Sequence, residues 1–182
     1  MKLTSLVLIA ALGGLALVGG CVRSKPESTT SSVKFDTGLP MTEFMGHVVD
    51  PAAFGFWKGS GTEETVGGTR ELAPTTAEGW EALETSAAVL FEAGNMLQIP
   101  GRARDPVDHW NKYAQDLSAR AAEGKAAAFK HDKQAVFETG AKIYQVCEAC
   151  HAEYVIGPQI KTTGPAQGAP LPPWPTDLAA RR

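Results

Sequence analysis

The chain has 182 residues, a formal net charge of −3 and an apolar content of 43%. This length allows one domain of ordinary size together with processing segments. The nearly balanced charge and the lack of a basic tract argue against a nucleic-acid partner. Alanine is abundant whereas isoleucine and valine are sparse, which favours helices over sheets.

The first twenty residues have the pattern of a bacterial export signal. Lys2 supplies a positive charge, and residues 3–18 form an apolar run that is too short and wrongly flanked for a stable membrane span. Small residues directly precede Cys21, a pattern that resembles a lipobox. We therefore expect residues 1–20 to be a lipoprotein signal peptide and a lipidated Cys21 to anchor the chain to a periplasmic membrane. In the alternative, the signal peptide is plain and Cys21 is incidental.

Two segments beside the expected domain lack the pattern of a folded structure. Residues 21–40 are rich in serine, threonine and charge and have no apolar periodicity, which predicts a flexible tether. Residues 157–182 form a proline-rich C-terminal tail, and the six prolines within residues 157–175 predict neither helix nor sheet there.

Residues 41–160 divide into four segments with helical periodicity. The first has apolar residues at steps of three and four, and Asp50-Pro51 inside it predicts a kink or a restart of the helix at Pro51. The second opens with the capping-box pattern of residues 75–78 and stops before Pro100.

The third and fourth segments also have recognisable starts. Asp105 followed by Pro106 predicts a cap and a proline at the first helical position of the third segment. The fourth is capped near Asp132, and its apolar stripe includes both Cys147 and Cys150. Two of the three cysteines in the chain are therefore expected to face the interior of the domain.

The links between the helices predict how they pack. Only the first link, residues 59–73, is long, and short links favour antiparallel neighbours. We therefore expect an all-α fold in which residues 41–156 form an up-down-up-down antiparallel four-helix bundle. Trp80 and Trp110 lie on the apolar stripes and are predicted to belong to its core.

The sequence C-E-A-C-H at residues 147–151 has the spacing of a c-type haem attachment site. Two thiols three positions apart can add across the vinyl groups of haem, and the adjacent imidazole can reach the iron. A structural zinc site needs four ligands. Outside the motif and the lipobox cysteine, the chain offers as further nitrogen donors only His47, His109 and His131. We therefore expect one covalently attached haem c, held by Cys147 and Cys150, with His151 as the proximal iron ligand.

The chain resembles the cytochrome c′ class, closest to its low-spin, methionine-ligated branch and to uncharacterised proteobacterial relatives. The resemblance covers roughly residues 41–156 and depends on residues 144–154, near the end of the last helix. The shorter runs 48–53, 95–97 and 100–103 are similar as well. The resemblance implies a monohaem electron carrier. Where only an apolar residue blocks the sixth iron position, it implies a binder of nitric oxide or carbon monoxide instead. The lipobox, tether and tail depart from the many soluble relatives.

The side chain opposite His151 decides between these functions. Bundle topology leaves five candidates at that end of the molecule: Met41, Met45, His47, Met96 and His109. Met45 lies on the apolar stripe, and the resemblance implies a sixth ligand or blocking residue on this part of the first helix. We expect Met45 to be the distal ligand, with simple packing or another ligand as alternatives. His47 lies on a different helix face and is expected at the surface; as a ligand it would lower the reduction potential.

Further residues are assigned to the surroundings of the site. Met96 is expected to line the pocket. Arg102 and Arg104 are expected at the haem end, where they either bind the haem propionates or are merely solvated. The resemblance implies homodimers that form through the first two helices. Phe54 and Trp57 are expected on the outer side of the first helix and could form such a contact.

The leading prediction of function is single-electron transfer outside the cytoplasm, with redox proteins as partners and a lipid anchor at Cys21. Haem-based binding or sensing of a diatomic gas is the alternative. Peroxidase chemistry would need a distal acid–base residue, and no sequence feature demands one, so an enzyme is not expected.

Overall fold

The computed structural model describes residues 34–164. The predictions for residues 1–20, for Cys21 and for residues 165–182 lie outside this range. Residues 34–40, the described part of the predicted tether, contain neither helix nor strand. Backbone contacts divide the chain after Lys34, and all the elements below belong to the unit that begins at Phe35.

Four helices and one short hairpin make up the described residues. Helix α1 covers residues 41–57, α2 is Ala77–Leu97, α3 is Val107–Phe129, and α4 covers residues 133–163. Strands β1 (Thr62–Thr65) and β2 (Gly68–Glu71) pair antiparallel within the long first link, where the sequence predicted no strand. The structure confirms a mostly helical, all-α chain. None of the described helices combines the length and apolar character that crossing a membrane requires.

Helices α1 and α4 share an unusual feature, a wide π-helical turn that ends two residues before a proline. In α1 the turn is Met45–Val49, followed by the α-helical segment Asp50–Trp57 with Pro51 in its first turn. In α4 it is Ala152–Ile156, followed by Gly157–Thr163, with a proline again in the first turn. A proline has no N–H to donate, and the wide turn accommodates the missing bond without ending the helix.

This arrangement decides one alternative and corrects one prediction. Of the kink and the restart predicted at Asp50-Pro51, the restart is wrong, because helix α1 continues through the π-turn. The prediction that the tail excludes a helix from Gly157 onwards is wrong for residues 157–163, which extend α4. The first turn of an α-helical segment tolerates proline because its N–H groups lack partners in any case.

Side-chain caps set the starts of two helices. The Asp132 carboxylate accepts a hydrogen bond from the Ala135 N–H at 3.0 Å, which confirms the predicted cap of α4. At α2 the capping residue is Thr76, whose hydroxyl accepts from the Gly79 N–H at 3.2 Å. The predicted pattern began one residue earlier, at Thr75, but Thr76 has the extended backbone that an N-cap requires.

The predicted cap of α3 by Asp105 is wrong. The helix begins at Val107, Pro106 holds the N-cap position, and no side-chain hydrogen bond caps this end. Asp105 therefore lies one residue too early for its carboxylate to take the capping role. Asp108 supplies a negative charge in the first turn instead, which favours a helix N-terminus electrostatically.

Helices α2 and α3 pack closely along their length. Hydrogen bonds between them join successively later residues of α3 to successively earlier residues of α2: Trp110 to Leu97 (2.8 Å), Ser118 to Phe91 (2.8 Å) and Lys125 to Glu84 (3.1 Å). Gly94 makes this approach possible, because a Cβ there would overlap the Ala114 carbonyl and the Ser118 hydroxyl.

All four helices contribute to one apolar core. Trp80 and Trp110 are buried in it, as their positions on the apolar stripes predicted. The largest side chains that are buried completely come from α1, α2 and α4: Phe44, Phe56, Leu90, Val136 and Ile143. The core continues along α4 as far as the cysteines, which are half-buried against it.

Candidate cofactor site

A cleft of about 480 Å³ lies among the helices, and Cys147 and Cys150 line it together with His151. Its size is within the range of roughly 300–1,000 Å³ that is usual for ligand and cofactor pockets. Most of its wall is apolar or aromatic and comes from all four helices: Val49, Ala53, Leu97, Trp110, Ala114, Leu117, Val146 and Ile156. An aromatic and aliphatic wall of this kind suits a large, flat, hydrophobic group.

The cysteines reach this cleft because of their position on α4. Val136, Thr139, Gly140 and Ile143 form the buried stripe of the helix. Cys147 and Cys150 continue that stripe at steps of four and three, so their side chains face the same way. The structure therefore places both thiols on the face that the helical periodicity predicted.

The pKa of both thiols is raised above that of an ordinary cysteine. Burial raises the pKa of Cys147, and the nearby Asp50 carboxylate raises it further. Burial also raises the pKa of Cys150, to about 11, against a smaller opposing effect of Arg104. Redox-active and metal-binding cysteines have lowered pKa values instead. The environment is therefore unlike that of a reactive cysteine pair.

Met45 lines the same cleft as the motif. A second cavity, of about 550 Å³, adjoins the first, and Met45, Asp50, Trp110, Cys150 and His151 line both. The two predicted iron ligands, far apart in the sequence, are thus brought to the same wall between two cavities. Met45 is half-buried and is the first residue of the π-turn in α1.

The other candidates for the distal position lie elsewhere. His47 is exposed and pairs with Glu43 at 3.2 Å, as the surface interpretation predicted. The prediction that Met96 lines the pocket is wrong: its side chain is 40% exposed and lines neither cavity. Its neighbour Leu97 faces the cleft instead, because successive residues of a helix point about 100° apart. His109 is exposed but bonded to Glu153 across the α3–α4 interface.

Of the two arginines, the structure brings only one to the wall of a cavity. Arg104 lines the second cavity together with Met45 and His151. The Arg102 guanidinium instead lies over the Phe44 ring, 4.8 Å from its centroid. Arg104 is therefore the positive charge available to an anionic group in the site, and Arg102 is engaged in packing.

Phe54 and Trp57 do not both face outwards. Both line the cleft, and the indole N–H of Trp57 donates to the Gly140 carbonyl at 2.9 Å. The Trp57 ring is also edge-on to Tyr144, with centroids 6.0 Å apart. The prediction of an outer position is therefore wrong for Trp57, whereas Phe54 is 52% exposed.

Sequence reasoning overlooked three residues at the site. Asp50 lines both cavities. From the sequence it was notable only as the residue before Pro51. Tyr113 lines the cleft one helical turn after Trp110, a step of three that could have revealed it. Glu153 binds Tyr113, and no local pattern indicates that contact because the two residues are on different helices.

The residues present fit a covalently attached haem. They provide two neutral thiols, an imidazole, a thioether sulfur, a largely apolar wall and one arginine. Within residues 34–164, no three or more histidine, cysteine, aspartate or glutamate side chains are grouped so that they could hold a metal ion. Comparisons with known protein families, with curated proteins and with solved structures found no match to this chain.

Proposed function

We propose that the protein is a monohaem c-type cytochrome that transfers single electrons outside the cytoplasm. The observation that carries this proposal is the convergence of Cys147, Cys150, His151 and Met45 on one cleft. We further propose that the four helices form an up-down-up-down antiparallel bundle around this group. Hydrogen bonds join the start of α3 to the end of α2 and later residues of α3 to earlier residues of α2. This antiparallel pairing of two of the helices supports that topology.

Each side chain has a distinct role in this proposal. Cys147 and Cys150 would hold the haem through thioether bonds, and the His151 imidazole and the Met45 sulfur would be its iron ligands. The haem supplies the one-electron chemistry, and the protein sets its position and electrostatics. A methionine ligand raises the reduction potential and closes the iron to external ligands. Arg104 is placed to pair with a carboxylate of the cofactor.

Binding of nitric oxide or carbon monoxide is the second candidate function. It is favoured by the 550 Å³ cavity that Met45 and His151 both line. This space would let a small ligand approach the iron if the Met45 sulfur left it. An absorption spectrum of the reduced protein with and without carbon monoxide separates the two functions, because a firmly ligated iron gives no carbonyl complex.

The place of action follows from the sequence of the N-terminal region. Attachment of haem c is proposed to occur after export, and the lipidated Cys21 would hold the domain at a membrane of the periplasm. Membrane-bound or soluble redox proteins are the expected partners. The homodimer stays a prediction. Of its two proposed contact residues, Trp57 is directed into the cleft.

Covalent haem attachment is the test of this function. The full chain is expressed in cells with a c-type maturation system, and the haem content is measured by pyridine haemochrome and by intact mass. We expect one haem per chain, and its loss when Cys147 and Cys150 are both replaced by serine. Cys21→Ser is the matched control, because that cysteine is expected to carry lipid and not haem. A wild-type chain exported without haem would overturn the proposal.

A further inference from the structure

Two side chains of α3 converge on one carboxylate of α4. The His109 Nδ1 lies 3.0 Å from one oxygen of Glu153, and the Tyr113 hydroxyl donates to the other oxygen at 3.0 Å. His109 and Tyr113 are four positions apart and therefore lie on the same face of α3. Glu153 is consequently held by both of its oxygens, a stronger restraint than a single hydrogen bond provides.

The next residue of α4 is fastened to the same end of α3. The Tyr154 hydroxyl donates to the Pro106 carbonyl at 2.6 Å, and its ring packs edge-on against Trp110 and Tyr113. Glu153 and Tyr154 together make three hydrogen bonds to α3. Within the described residues, the polar side-chain contact that joins residues 141–152 of α4 to another helix is the ion pair of Lys142 with Glu123 at 3.6 Å, more than two turns before His151.

The hydrogen bonds of Glu153 and Tyr154 lie directly after the proposed iron ligand His151 along α4. His151 is the last residue of the regular α-helical segment, and the π-turn Ala152–Ile156 begins directly after it. Such turns are rare and less favourable than regular helix, and they commonly mark functional sites. The bonds from Glu153 and Tyr154 hold this turn against α3 and so fix the end of the helix that presents the imidazole.

The charge of Glu153 also reaches the cleft. After burial and the neighbouring Cys147 thiol, the Glu153 carboxylate is a further cause of the raised pKa of Cys150. Tyr113, which holds this carboxylate, itself lines the cleft. The cluster of His109, Tyr113 and Glu153 therefore has both a mechanical and an electrostatic connection to the site.

We propose that Glu153, held by His109 and Tyr113, is a positioning residue that sets the orientation of the His151 imidazole toward the iron. This inference deepens the proposed function and rests on it. Outer residues that orient a metal ligand commonly change metal affinity or activity by about 10–100-fold when they are replaced. Glu153 would act from two residues away, about half a helical turn, through the backbone and not by a bond to the imidazole itself.

The experiment uses the haem-loaded full chain and two readouts that a purely structural role would leave unchanged. The first is the pattern of paramagnetically shifted haem methyl resonances in the ferric protein, which depends on the orientation of the axial imidazole. The second is the midpoint potential from spectroelectrochemistry. We expect Glu153→Ala to redistribute the methyl shifts and to raise the potential, because a nearby carboxylate stabilises the ferric state.

Substitutions of His109 and Tyr113 distinguish an effect on the orientation of the imidazole from an effect of the Glu153 charge. Tyr113→Phe leaves the charge of Glu153 unchanged, so the redistribution of methyl shifts that we expect from it does not arise from loss of the carboxylate. His109→Ala combined with Tyr113→Phe should have no larger effect than Glu153→Ala, since both act through the same carboxylate. Glu138→Ala is the matched control: it removes an exposed carboxylate near the other end of α4, which bonds within that helix to Gln134.

The possible outcomes distinguish this inference from the proposed function. Methyl shifts identical to wild type in haem-loaded Glu153→Ala and Tyr113→Phe would overturn the inference alone. A wild-type chain without haem would overturn both. If Glu153→Ala does not accumulate, Tyr113→Phe decides by the same measurement, because it removes one hydroxyl and leaves the carboxylate in place.

Discussion

In the proposed cytochrome, Met45 is the side chain that distinguishes electron transfer from gas binding. It is half-buried, lies at the junction of two cavities and opens the π-turn of α1. Methionine is flexible and also serves as a filler of irregular apolar space, so its position alone is compatible with packing or with ligation. The two roles differ in what they do to the iron, and a single substitution separates them.

Replacing Met45 by alanine should convert the haem-loaded protein from low-spin to high-spin, because the iron loses its sixth ligand. The reduced variant should then bind carbon monoxide, which the wild type should not. Absorption spectra of both proteins with and without the gas provide the measurement. Met96→Ala is the control, since that side chain is exposed and lines neither cavity. An unchanged low-spin spectrum in Met45→Ala would refute the assignment.

The thiol of Cys150 gives a prediction for the haem-free chain. Its raised pKa, about 11, means that folding disfavours the thiolate. The stability of the folded state should therefore fall as the pH rises above the usual thiol pKa toward 11. In a chain with Cys21 and Cys147 replaced by serine, burial still raises the pKa of Cys150, so alkylation by iodoacetamide should accelerate only at a pH above that of an ordinary thiol. The same chain in urea should react at the ordinary pH of a cysteine, and identical profiles would contradict the prediction.

Helices α1 and α4 depart from regular α-helical geometry where they line the cleft. Each contains a π-turn that starts at, or directly after, a proposed iron ligand: Met45 opens the first, and His151 precedes the second. Each turn is followed by a proline in the first turn of the next helical segment. Because a π-turn inserts one residue into the helical repeat, it changes the direction of the side chains that follow.

The contact between α2 and α3 depends on the absence of a side chain at Gly94. A Cβ at this position would overlap the backbone of Ala114. We expect Gly94→Ala to lower the free energy of unfolding by roughly 1–3 kcal/mol, as overpacking generally does. Urea denaturation followed by circular dichroism measures this effect.

Gly46 provides the matched control for this prediction. It is also helical, but a Cβ added there meets nothing within 4 Å. Gly46→Ala should leave the free energy of unfolding unchanged or raise it by roughly 0.5–1 kcal/mol, because alanine is the better helix former. Equal destabilisation by the two substitutions would show that close packing at Gly94 is not the cause.

At the level of the whole molecule, the main prediction concerns the anchor. Cys21→Ser should move the haem-loaded protein from the membrane fraction to the soluble periplasmic fraction, because the acyl chains would no longer be added. Fractionation followed by haem staining detects the change. Haem content should remain the same, since Cys147 and Cys150 are untouched. Equal distribution of wild type and variant would contradict the predicted lipobox.

Several features of the fold and site followed from local patterns. The periodicity of the apolar residues predicted four helices and the inward direction of both cysteines, and the cap at Asp132 was predicted as well. These features depend on residues within one or two turns of each other. The hairpin at Thr62–Thr65 was not predicted, because its strands are exposed on every residue and lack the alternation that identifies a strand.

The sequence by itself determined the helical class and led to the haem proposal, because helical periodicity and the C-x-x-C-H spacing are local properties of the chain. Only the tertiary structure decided which distant side chains meet that motif. It brought Met45 and Arg104 to the cavities, directed Met96 to solvent, and joined Glu153 to His109 and Tyr113. These contacts depend on how the helices rotate and approach one another, and the packing of all four helices sets that geometry together.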